Sequence, residues 1–290
     1  MFKAGFVNII GNPNVGKSTL MNALVGEKLS IITPKAQTTR HRILGILNGD
    51  NYQIVFSDLP GILKPAYKLQ EKMMKFIGTA ITDADIFLYM VEAGEARYDE
   101  GIVKIIKDSG MPVFILINKI DLSTQEKVIR DIGYWSQIFN SDRVIPLSAL
   151  NNFNVKELKE QIIELIPEHE PYYPKDDLTD RSVRFFVSEI IREKIMTNYR
   201  QEIPYSVEVV VNSFIEEEKL IRIDVSIFVA RETQKMIILG SKGSSIKKMG
   251  TLARKDIEKF VGKKVYLEIT VKISKDWRDN EKQLKKFGYE

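Results

Sequence analysis

The chain contains the run Gly11-Asn12-Pro13-Asn14-Val15-Gly16-Lys17-Ser18, which has the spacing G-x-x-x-x-G-K-S. An apolar segment, 6–10, precedes this run, and a segment of helix-forming residues, 19–24, follows it. A glycine-rich turn between a strand and a helix directs backbone N–H groups at one phosphate, and the helix dipole adds to the attraction. The context therefore predicts a phosphate-binding loop, and a chance glycine turn is the weaker alternative.

The residues of this loop have distinct predicted tasks. Lys17 is expected to reach the β- and γ-phosphates of a nucleotide, and the Ser18 hydroxyl is expected to bind Mg²⁺. The residues around the loop that we expect to contact the nucleotide are Gly11, Asn12, Asn14, Val15, Gly16, Lys17, Ser18 and Thr19.

Length and composition indicate a globular protein. The 290 residues are enough for about two domains, and 44% hydrophobic with 28% charged residues argues against disorder. The absence of cysteine excludes disulfides and thiolate metal sites. No apolar run reaches the ~18 residues of a membrane span, and no signal-peptide pattern opens the chain, so a cytoplasmic protein is expected.

Basic residues are concentrated toward the C-terminus. Residues 235–286 contain 15 Lys and Arg against 6 Asp and Glu. Such a local surplus of positive charge predicts a polyanionic partner, although a solvated basic face would have the same composition.

Apolar runs alternate with helical patterns through the first 166 residues. This alternation predicts an α/β domain with a mostly parallel, doubly wound sheet, whose ligands lie at the carboxyl ends of the strands. The predicted strands are 6–10, 43–47, 52–56, 86–91, 113–117 and 144–146. We expect the first domain to span 1–167, a proline-containing linker to span 168–182, and a smaller α+β domain to span 183–290.

Two further segments are predicted to complete the phosphate end of the site. In the polar segment 29–42, Thr39 is expected to contact Mg²⁺ and the γ-phosphate, with Thr38 as the second choice. Asp58 follows a strand and is expected to hold Mg²⁺, while Gly61 is expected to offer its N–H to the γ-phosphate. The predicted nucleotide site also includes the residues between them, Leu59 and Pro60.

The residues after Gly61 are apolar, whereas Ras-like enzymes carry there a glutamine that orients the attacking water. Hydrolysis must therefore rely on another group, on a bound cation or on a partner, and Asn14 is a candidate ligand for a K⁺ ion near the β/γ bridge. An asparagine in a tight turn is also common for conformational reasons alone. His41, which lies in a basic run, is expected to be a surface or RNA contact rather than a base.

The segment Asn118-Lys119-Ile120-Asp121 predicts recognition of guanine. The Asp121 carboxylate can accept hydrogen bonds from N1–H and the exocyclic amine of guanine, and adenine has no matching pair of donors. Asn118 is expected to brace the loop and the base edge, and the stem of Lys119 is expected to cover the ring. The remaining predicted contacts are Ser148, Ala149 and Leu150.

The second domain contains the turn Gly240-Ser241-Lys242-Gly243 between an apolar segment and a basic helix. A G-x-x-G turn lets a sugar-phosphate backbone approach closely, beside a groove for roughly four nucleotides, as in KH domains. Ile238 would shape the base groove or, equally well, belong to the core, and Trp277 is better explained as a packing anchor than as a base-stacking platform. The residues expected to contact RNA are Ile237, Gly240, Ser241, Lys242, Gly243, Ile246, Lys247 and Lys248.

The motifs GNPNVGKS, Thr38-Thr39, DLPG, NKID and SAL stand in the order found in translation-factor-related GTPases. Within that class, the run Lys35-Ala36-Gln37-Thr38-Thr39-Arg40-His41-Arg42 and the second domain resemble the Era family of bacterial ribosome-assembly GTPases over essentially the whole chain. The resemblance implies a P-loop GTPase domain followed by a prokaryotic-type KH domain, and Mg²⁺-dependent hydrolysis of GTP to GDP. It also implies binding near the 3′ end of 16S ribosomal RNA during small-subunit maturation, with loose association to the membrane surface.

Three alternative functions remain open on the sequence. An RNA adaptor with a purely structural nucleotide is disfavoured by the intact Lys17, Ser18 and Asp58. A tRNA-directed GTPase would lack the C-terminal KH unit, and a membrane GTPase would have a transmembrane segment. Nothing in the sequence requires more than a monomer.

Overall fold

A computed structural model describes residues 1–289 and divides the chain into two compact units. The first unit comprises Met1–Pro65 and Met73–Asp180, and the second comprises Ala66–Lys72 and the residues from Arg181 onward. Within the described residues, no helix combines the length and the apolar character needed to cross a membrane.

Strands and helices alternate as far as residue 165, apart from one pair of consecutive strands. In chain order they are β1 (Lys3–Gly11), α1 (Lys17–Val25), β2 (Ile43–Asn48), β3 (Tyr52–Asp58), α2 (Lys68–Thr82), β4 (Ile86–Glu92), α3 (Glu100–Asp108), β5 (Val113–Asn118), α4 (Gln125–Phe139), β6 (Val144–Pro146) and α5 (Val155–Leu165).

The first sheet has the strand order β2-β3-β1-β4-β5-β6 and is parallel except for β2, which pairs antiparallel with β3. Val7, Ile9 and Ile10 are all fully buried. Such near-continuous burial is typical of a parallel strand that is covered on both faces. The predicted α/β class is confirmed, and the predicted strands are present with ends extended by up to three residues.

Residues 167–178 pack along the first sheet. Ala4 N donates to Pro167 O at 3.1 Å, and Ile46 N on the edge strand β2 donates to Leu178 O at 2.8 Å. The buried side chain of Gln53 accepts from Tyr172 N at 2.7 Å and donates to Tyr173 O at 2.8 Å. Most of the predicted linker 168–182 is therefore hydrogen-bonded to the first unit, where it covers part of an otherwise open sheet edge.

The second unit is an α+β fold, as predicted. Its elements are α6 (Val183–Asn198), α7 (Ile203–Ser206), β7 (Glu208–Glu216), β8 (Leu220–Val229), α8 (Glu232–Leu239), α9 (Ser244–Val261), β9 (Lys264–Ile273) and α10 (Glu281–Lys286). The sheet order is β7-β8-β9, with β7 antiparallel and β9 parallel to β8. Apolar side chains from α6, α8, α9 and the three strands form one core.

The C-terminal residues are anchored in this core. Trp277 is fully buried, and its Nε1 donates to Ser206 O at 3.1 Å. The hydroxyl of Tyr289, also buried, donates to Glu208 Oε2 at 2.9 Å. Because a buried indole with a satisfied N–H is a packing residue, the prediction that Trp277 is an anchor is confirmed.

Candidate functional site

A cavity of about 550 Å³ opens at the carboxyl ends of the parallel strands. This is the place where a doubly wound sheet binds its ligands. The predicted nucleotide residues that line it are Asn14, Gly16, Lys17, Ser18, Thr19, Thr39, Leu59, Gly61, Asn118, Lys119, Asp121, Ser148 and Leu150. The other predicted nucleotide residues do not line the cavity, and all of them except Asn12 are buried: Gly11, Asn12, Val15, Asp58, Pro60 and Ala149.

Lys17 is the first residue of α1 and is buried beneath the loop that precedes it. Its Nζ donates to the carbonyl oxygens of Gly11 at 3.0 Å and Asn12 at 2.7 Å. Burial lowers the pKa of Lys17 to about 8, because desolvation of the ammonium outweighs the attraction of Asp58 and Glu95. The cavity thus contains a partly desolvated cation, which a nucleotide phosphate would stabilise.

The three predicted metal ligands meet at one point. The Ser18 hydroxyl lies 2.9 Å from Thr39 Oγ1 and donates to Asp58 Oδ2 at 2.6 Å, and Thr39 Oγ1 donates to the same oxygen at 3.2 Å. Burial raises the pKa of Asp58, and the hydrogen bond from Ser18 and the charge of Lys17 oppose that rise.

The chemistry of this cluster fits Mg²⁺. It contains hard oxygen donors, and one oxygen of the fully buried carboxylate, Asp58 Oδ1, has no hydrogen-bond partner. Mg²⁺ is bound through one or two protein oxygens together with waters and substrate phosphates, rather than by a full protein cage.

The segment before β2 places its two threonines differently. Thr38 Oγ1 donates to Lys35 O at 2.6 Å and lies 2.7 Å from Thr33 Oγ1, so it serves the turn itself. Thr39 instead contacts Asp58, which agrees with the choice of Thr39 over Thr38 in the sequence analysis. The expectation that His41 is a surface contact is wrong: its side chain is only 8% exposed and its ring lies 6.0 Å from that of Phe76.

The segment after β3 passes close over the phosphate-binding loop. A Cβ atom on Gly61 would lie 2.6 Å from the Cα of Pro13, so only glycine allows this approach. Ile62 N donates to Gly11 O at 3.1 Å, which ties the two segments together. The side chains of Leu59 and Ile62 belong to the hydrophobic core. Ile62 is therefore a packing residue and cannot orient a water molecule as the glutamine of Ras-like enzymes does.

The base-recognition end of the cavity is braced by Asn118. Its Nδ2 donates to Val15 O at 2.7 Å, and its Oδ1 accepts from Ala149 N at 2.9 Å. One buried side chain therefore joins the phosphate-binding loop to the segment after β6. Asp121 lines the cavity and is exposed, which suits a carboxylate that reads a ligand. Lys119 Nζ pairs with Glu92 Oε2 at 2.6 Å.

Two asparagines of the phosphate-binding loop contact other loops. Asn14, in the left-handed conformation with a φ of 66°, donates through Nδ2 to Pro34 O at 3.2 Å. Asn12 donates to Glu95 Oε1 at 2.8 Å and to Arg97 O at 3.0 Å. The sequence did not predict the contact of Glu95 with Asn12, because no pattern distinguishes this carboxylate from others in exposed loops.

The second unit presents the G-x-x-G turn between α8 and α9. The apolar segment before the turn is helical, a detail the sequence did not specify. Gly240 has a φ of 70°, and a Cβ atom there would overlap Ser245 Oγ. Gly243 also has a positive φ, of 78°, and has open space around it. The turn thus exposes backbone that a side chain would otherwise obstruct.

The side chains around the turn divide into exposed and core groups. Lys242, Lys247 and Lys248 are exposed, as expected for phosphate contacts. Ile237 is 47% exposed, whereas Ile238 is fully buried. The structure therefore assigns Ile238 to the core. Ile246, also predicted to contact RNA, packs partly against the same core.

The chain matches two family models. One, described as a 50S ribosome-binding GTPase, covers residues 6–119, and the other, a KH domain, covers residues 202–278. The chain is also 46% identical over 294 residues to GTPase Era of Clostridium kluyveri, and the alignment covers 100% of both chains.

Solved structures agree over the same length. The chain is similar to Era in complex with MgGDPNP and nucleotides 1506–1542 of 16S ribosomal RNA, with a TM-score of 0.95, 40% identity and coverage of 100% of this chain and 99% of that one. A variant of Aquifex aeolicus Era bound to GDP·AlF4⁻ also has a TM-score of 0.95, with 39% identity and 99% coverage of both chains. Because these relatives match it from end to end and both family models match its two units, this chain belongs to the Era family of GTPases.

Proposed function

We propose that this GTPase binds the 3′ region of 16S ribosomal RNA through its KH domain under the control of GTP, and thereby assists assembly of the 30S subunit. The observation that carries the proposal is the combination, in one chain, of the Ser18, Thr39 and Asp58 cluster with the exposed G-x-x-G turn. The similarity to an Era that was solved with MgGDPNP and nucleotides 1506–1542 of 16S ribosomal RNA supports it.

At the phosphate end, we assign Ser18, Thr39 and Asp58 to a Mg²⁺ ion. When bound, this ion supplies positive charge that stabilises the phosphate oxygens of GTP. Lys17 orients the β- and γ-phosphates and offsets charge as the bond to the γ-phosphate breaks. The Gly61 N–H would contact the γ-phosphate, and water is the nucleophile.

At the base end, Asp121 would accept hydrogen bonds from guanine. The Asn118 brace would hold the phosphate-binding loop and the segment at Ala149 in register for the same nucleotide, with the Ala149 N–H engaged by Asn118 itself. We assign Leu150, which is 77% exposed at the cavity, to the face of the base. The phosphate end and the base end of the nucleotide would thus be bound by two segments that the Asn118 side chain joins.

We further propose that Asn14 supports hydrolysis by binding K⁺. Its amide nitrogen donates to Pro34 O, so the phosphate-binding loop and segment 29–42 are already joined. The amide oxygen is the remaining ligand atom of that side chain. A cation there would supply charge that the apolar Ile62 does not.

In the KH domain, we propose that Lys242, Lys247 and Lys248 bind phosphates and that Ile237 contacts a base. Their exposure around two positive-φ glycines supports this assignment. We also propose that the protein acts as a cytoplasmic monomer that associates with the membrane surface, where its basic C-terminal residues would meet anionic lipids.

A second candidate function is an RNA adaptor whose nucleotide does not change RNA affinity. To separate the two, a labelled single-stranded RNA from the 3′ end of 16S ribosomal RNA is titrated with the protein in the presence of a GTP analogue, GDP or no nucleotide. A salt series accompanies each titration, because phosphate contacts weaken with salt. We expect tighter binding with the GTP analogue than with GDP. Equal affinity in all three states would favour the adaptor.

A further inference from the structure

The guanidinium of Arg42 joins three parts of the first unit. It donates to Ser57 Oγ through Nη2 at 2.9 Å and through Nε at 3.1 Å. It also forms a bidentate ion pair with Asp83, in which Nη1 contacts Oδ2 and Nη2 lies 3.1 Å from Oδ1. Ser57 lies on β3, and Asp83 directly follows α2. One side chain therefore connects the last residue of segment 29–42 to a central strand and to the end of a helix.

Buried polar groups hold this ion pair in one geometry. Asn8, which is fully buried on β1, donates through Nδ2 to Asp83 Oδ1 at 3.0 Å and also to Ala80 O. The side chains of Arg42 and Asp83 are 13% and 37% exposed. An exposed ion pair contributes little, but a planar guanidinium that binds a carboxylate and a buried hydroxyl at once has a single arrangement. The pair thus fixes the position of Arg42 relative to α2.

The ion pair joins the two parts of the chain that we place at the γ-phosphate. Thr39 lies three residues before Arg42, and Gly61 lies between β3 and α2 in the chain. The rings of His41 and of Phe76, on α2, lie 6.0 Å apart, which adds a second contact between the same two elements. Segment 29–42 is therefore attached to α2 through two consecutive residues that closely follow Thr39.

We propose that Arg42 is a positioning residue for GTP: by tying the end of segment 29–42 to α2 and β3, it holds Thr39 in place for Mg²⁺ and the γ-phosphate. A segment that senses the γ-phosphate becomes ordered when GTP binds, and residues that are fixed beforehand lower the entropy cost of that ordering. GDP has no γ-phosphate and does not require the ordering. Loss of the Arg42 contacts should therefore weaken the binding of GTP more than that of GDP. The inference rests on the role of Thr39 in the proposed function.

The alternative is that the ion pair only stabilises the first unit. Removing it would then lower the free energy of unfolding, and the affinities for GTP and GDP would change together or not at all. A loss that is equal for both nucleotides cancels in the ratio of their affinities. This ratio therefore distinguishes a positioning role from a purely structural one.

The experiment measures the affinities of the full chain for a non-hydrolysable GTP analogue and for GDP in Mg²⁺, by displacement of a fluorescent GDP analogue. Arg42→Lys keeps the charge but loses the planar guanidinium, and Asp83→Asn keeps the shape but loses the ion pair. In each variant, we expect the affinity for the GTP analogue relative to that for GDP to fall about tenfold, within the usual range of coupling between sites.

The variant that carries both substitutions should show the same loss as either one, since both remove a single interaction. An unchanged ratio would overturn the proposal, whether or not the affinities for both nucleotides fall. Losses that add in the double variant would also overturn it, because Arg42 and Asp83 would then act separately.

Two matched controls alter ion pairs that do not involve segment 29–42. Arg222→Lys changes the arginine that pairs with Glu217 at 2.6 Å in the second unit. Glu160→Gln changes the acid that pairs with Lys156 at 3.8 Å on α5. Both controls should leave the ratio of affinities unchanged. A fall in either control as large as in Arg42→Lys would overturn the proposal, because the effect would not be specific to this ion pair.

Thr39→Ala separates this inference from the proposed function. It should lower the same ratio, because it removes the hydroxyl that Arg42 is proposed to position. If Thr39→Ala lowers the ratio and Arg42→Lys does not, only the role of Arg42 is rejected. If Thr39→Ala has no effect, the assignment of Thr39 to Mg²⁺ and the γ-phosphate fails, and the inference about Arg42 fails with it.

Discussion

The hydroxyl of Ser18 lies 2.6 Å from Asp58 Oδ2, although the two residues are 40 positions apart in the sequence. The contact exists because β1 and β3 are parallel neighbours, with Ile9 paired to Asp58. Both strands end at the same edge of the sheet, so the residues that follow them meet there.

Ser18→Ala removes a hydroxyl that we place on Mg²⁺. The affinity for GDP in the presence of Mg²⁺ should fall by about 10- to 100-fold, the range for a hydrogen bond or ligand contact to a charged group. In chelator the loss should be much smaller. Binding of a fluorescent GDP analogue measures both values, and Thr79→Ala, on the exposed face of α2, serves as the control.

Asp121→Asn should change base preference. An amide supplies one donor and one acceptor where guanine needs two acceptors, whereas xanthine offers a carbonyl in place of the exocyclic amine. Competition between GDP and XDP for the labelled nucleotide should therefore shift toward XDP. If Asp121→Asn binds GDP as tightly as the wild type does, Asp121 does not read the base.

Asn118→Ala should destabilise the first unit. The substitution leaves Val15 O and Ala149 N buried without their partner. The free energy of unfolding should fall by about 2–4 kcal/mol, from two unsatisfied groups at ~1–2 kcal/mol each. Denaturant unfolding of the nucleotide-free protein tests this value. A loss below about 0.5 kcal/mol would mean that water replaces the brace.

Gly243→Asp should weaken RNA binding and leave GDP affinity intact. The new carboxylate repels phosphates at a turn that is otherwise open. Gly262→Asp is a matched control, because Gly262 ends the same helix, has a φ of 67° and is also surrounded by open space. Both variants bear the same backbone strain. Equal RNA affinity for the two would remove the turn from the interface.

Replacing K⁺ by Na⁺ should slow GTP hydrolysis if Asn14 holds the larger ion. Asn14→Ala should slow hydrolysis in K⁺ and abolish the difference between the two salts. The measurement is phosphate release at constant ionic strength, so that screening does not change. Identical rates in the two salts for the wild-type protein would reject the potassium site.

Local sequence was sufficient wherever a few consecutive residues specify both backbone and chemistry. The phosphate-binding loop, the segment around Asp121 and the G-x-x-G turn are of this kind, because glycine positions and flanking periodicity set their conformation. The choice of Thr39 over Thr38 agrees with the observed contacts, in which Thr39 bonds to Asp58 and Thr38 bonds to Lys35 O. Only one of two adjacent side chains can face Asp58 while the other serves the turn.

Long-range contacts account for what the sequence did not indicate. His41 is polar in a basic run, yet it is buried against Phe76, and Gln53 bonds to Tyr173 across 120 positions. The hydrogen bonds between the Asn22 side chain and the Ser30 backbone likewise could not be predicted from the sequence pattern. An isolated polar side chain acquires its partner from whatever the fold packs beside it, and that depends on strand order and burial rather than on its neighbours in the chain. The chemistry of the motifs could therefore be predicted from the sequence. The buried hydrogen bonds and packing contacts that position those motifs were decided by the tertiary structure.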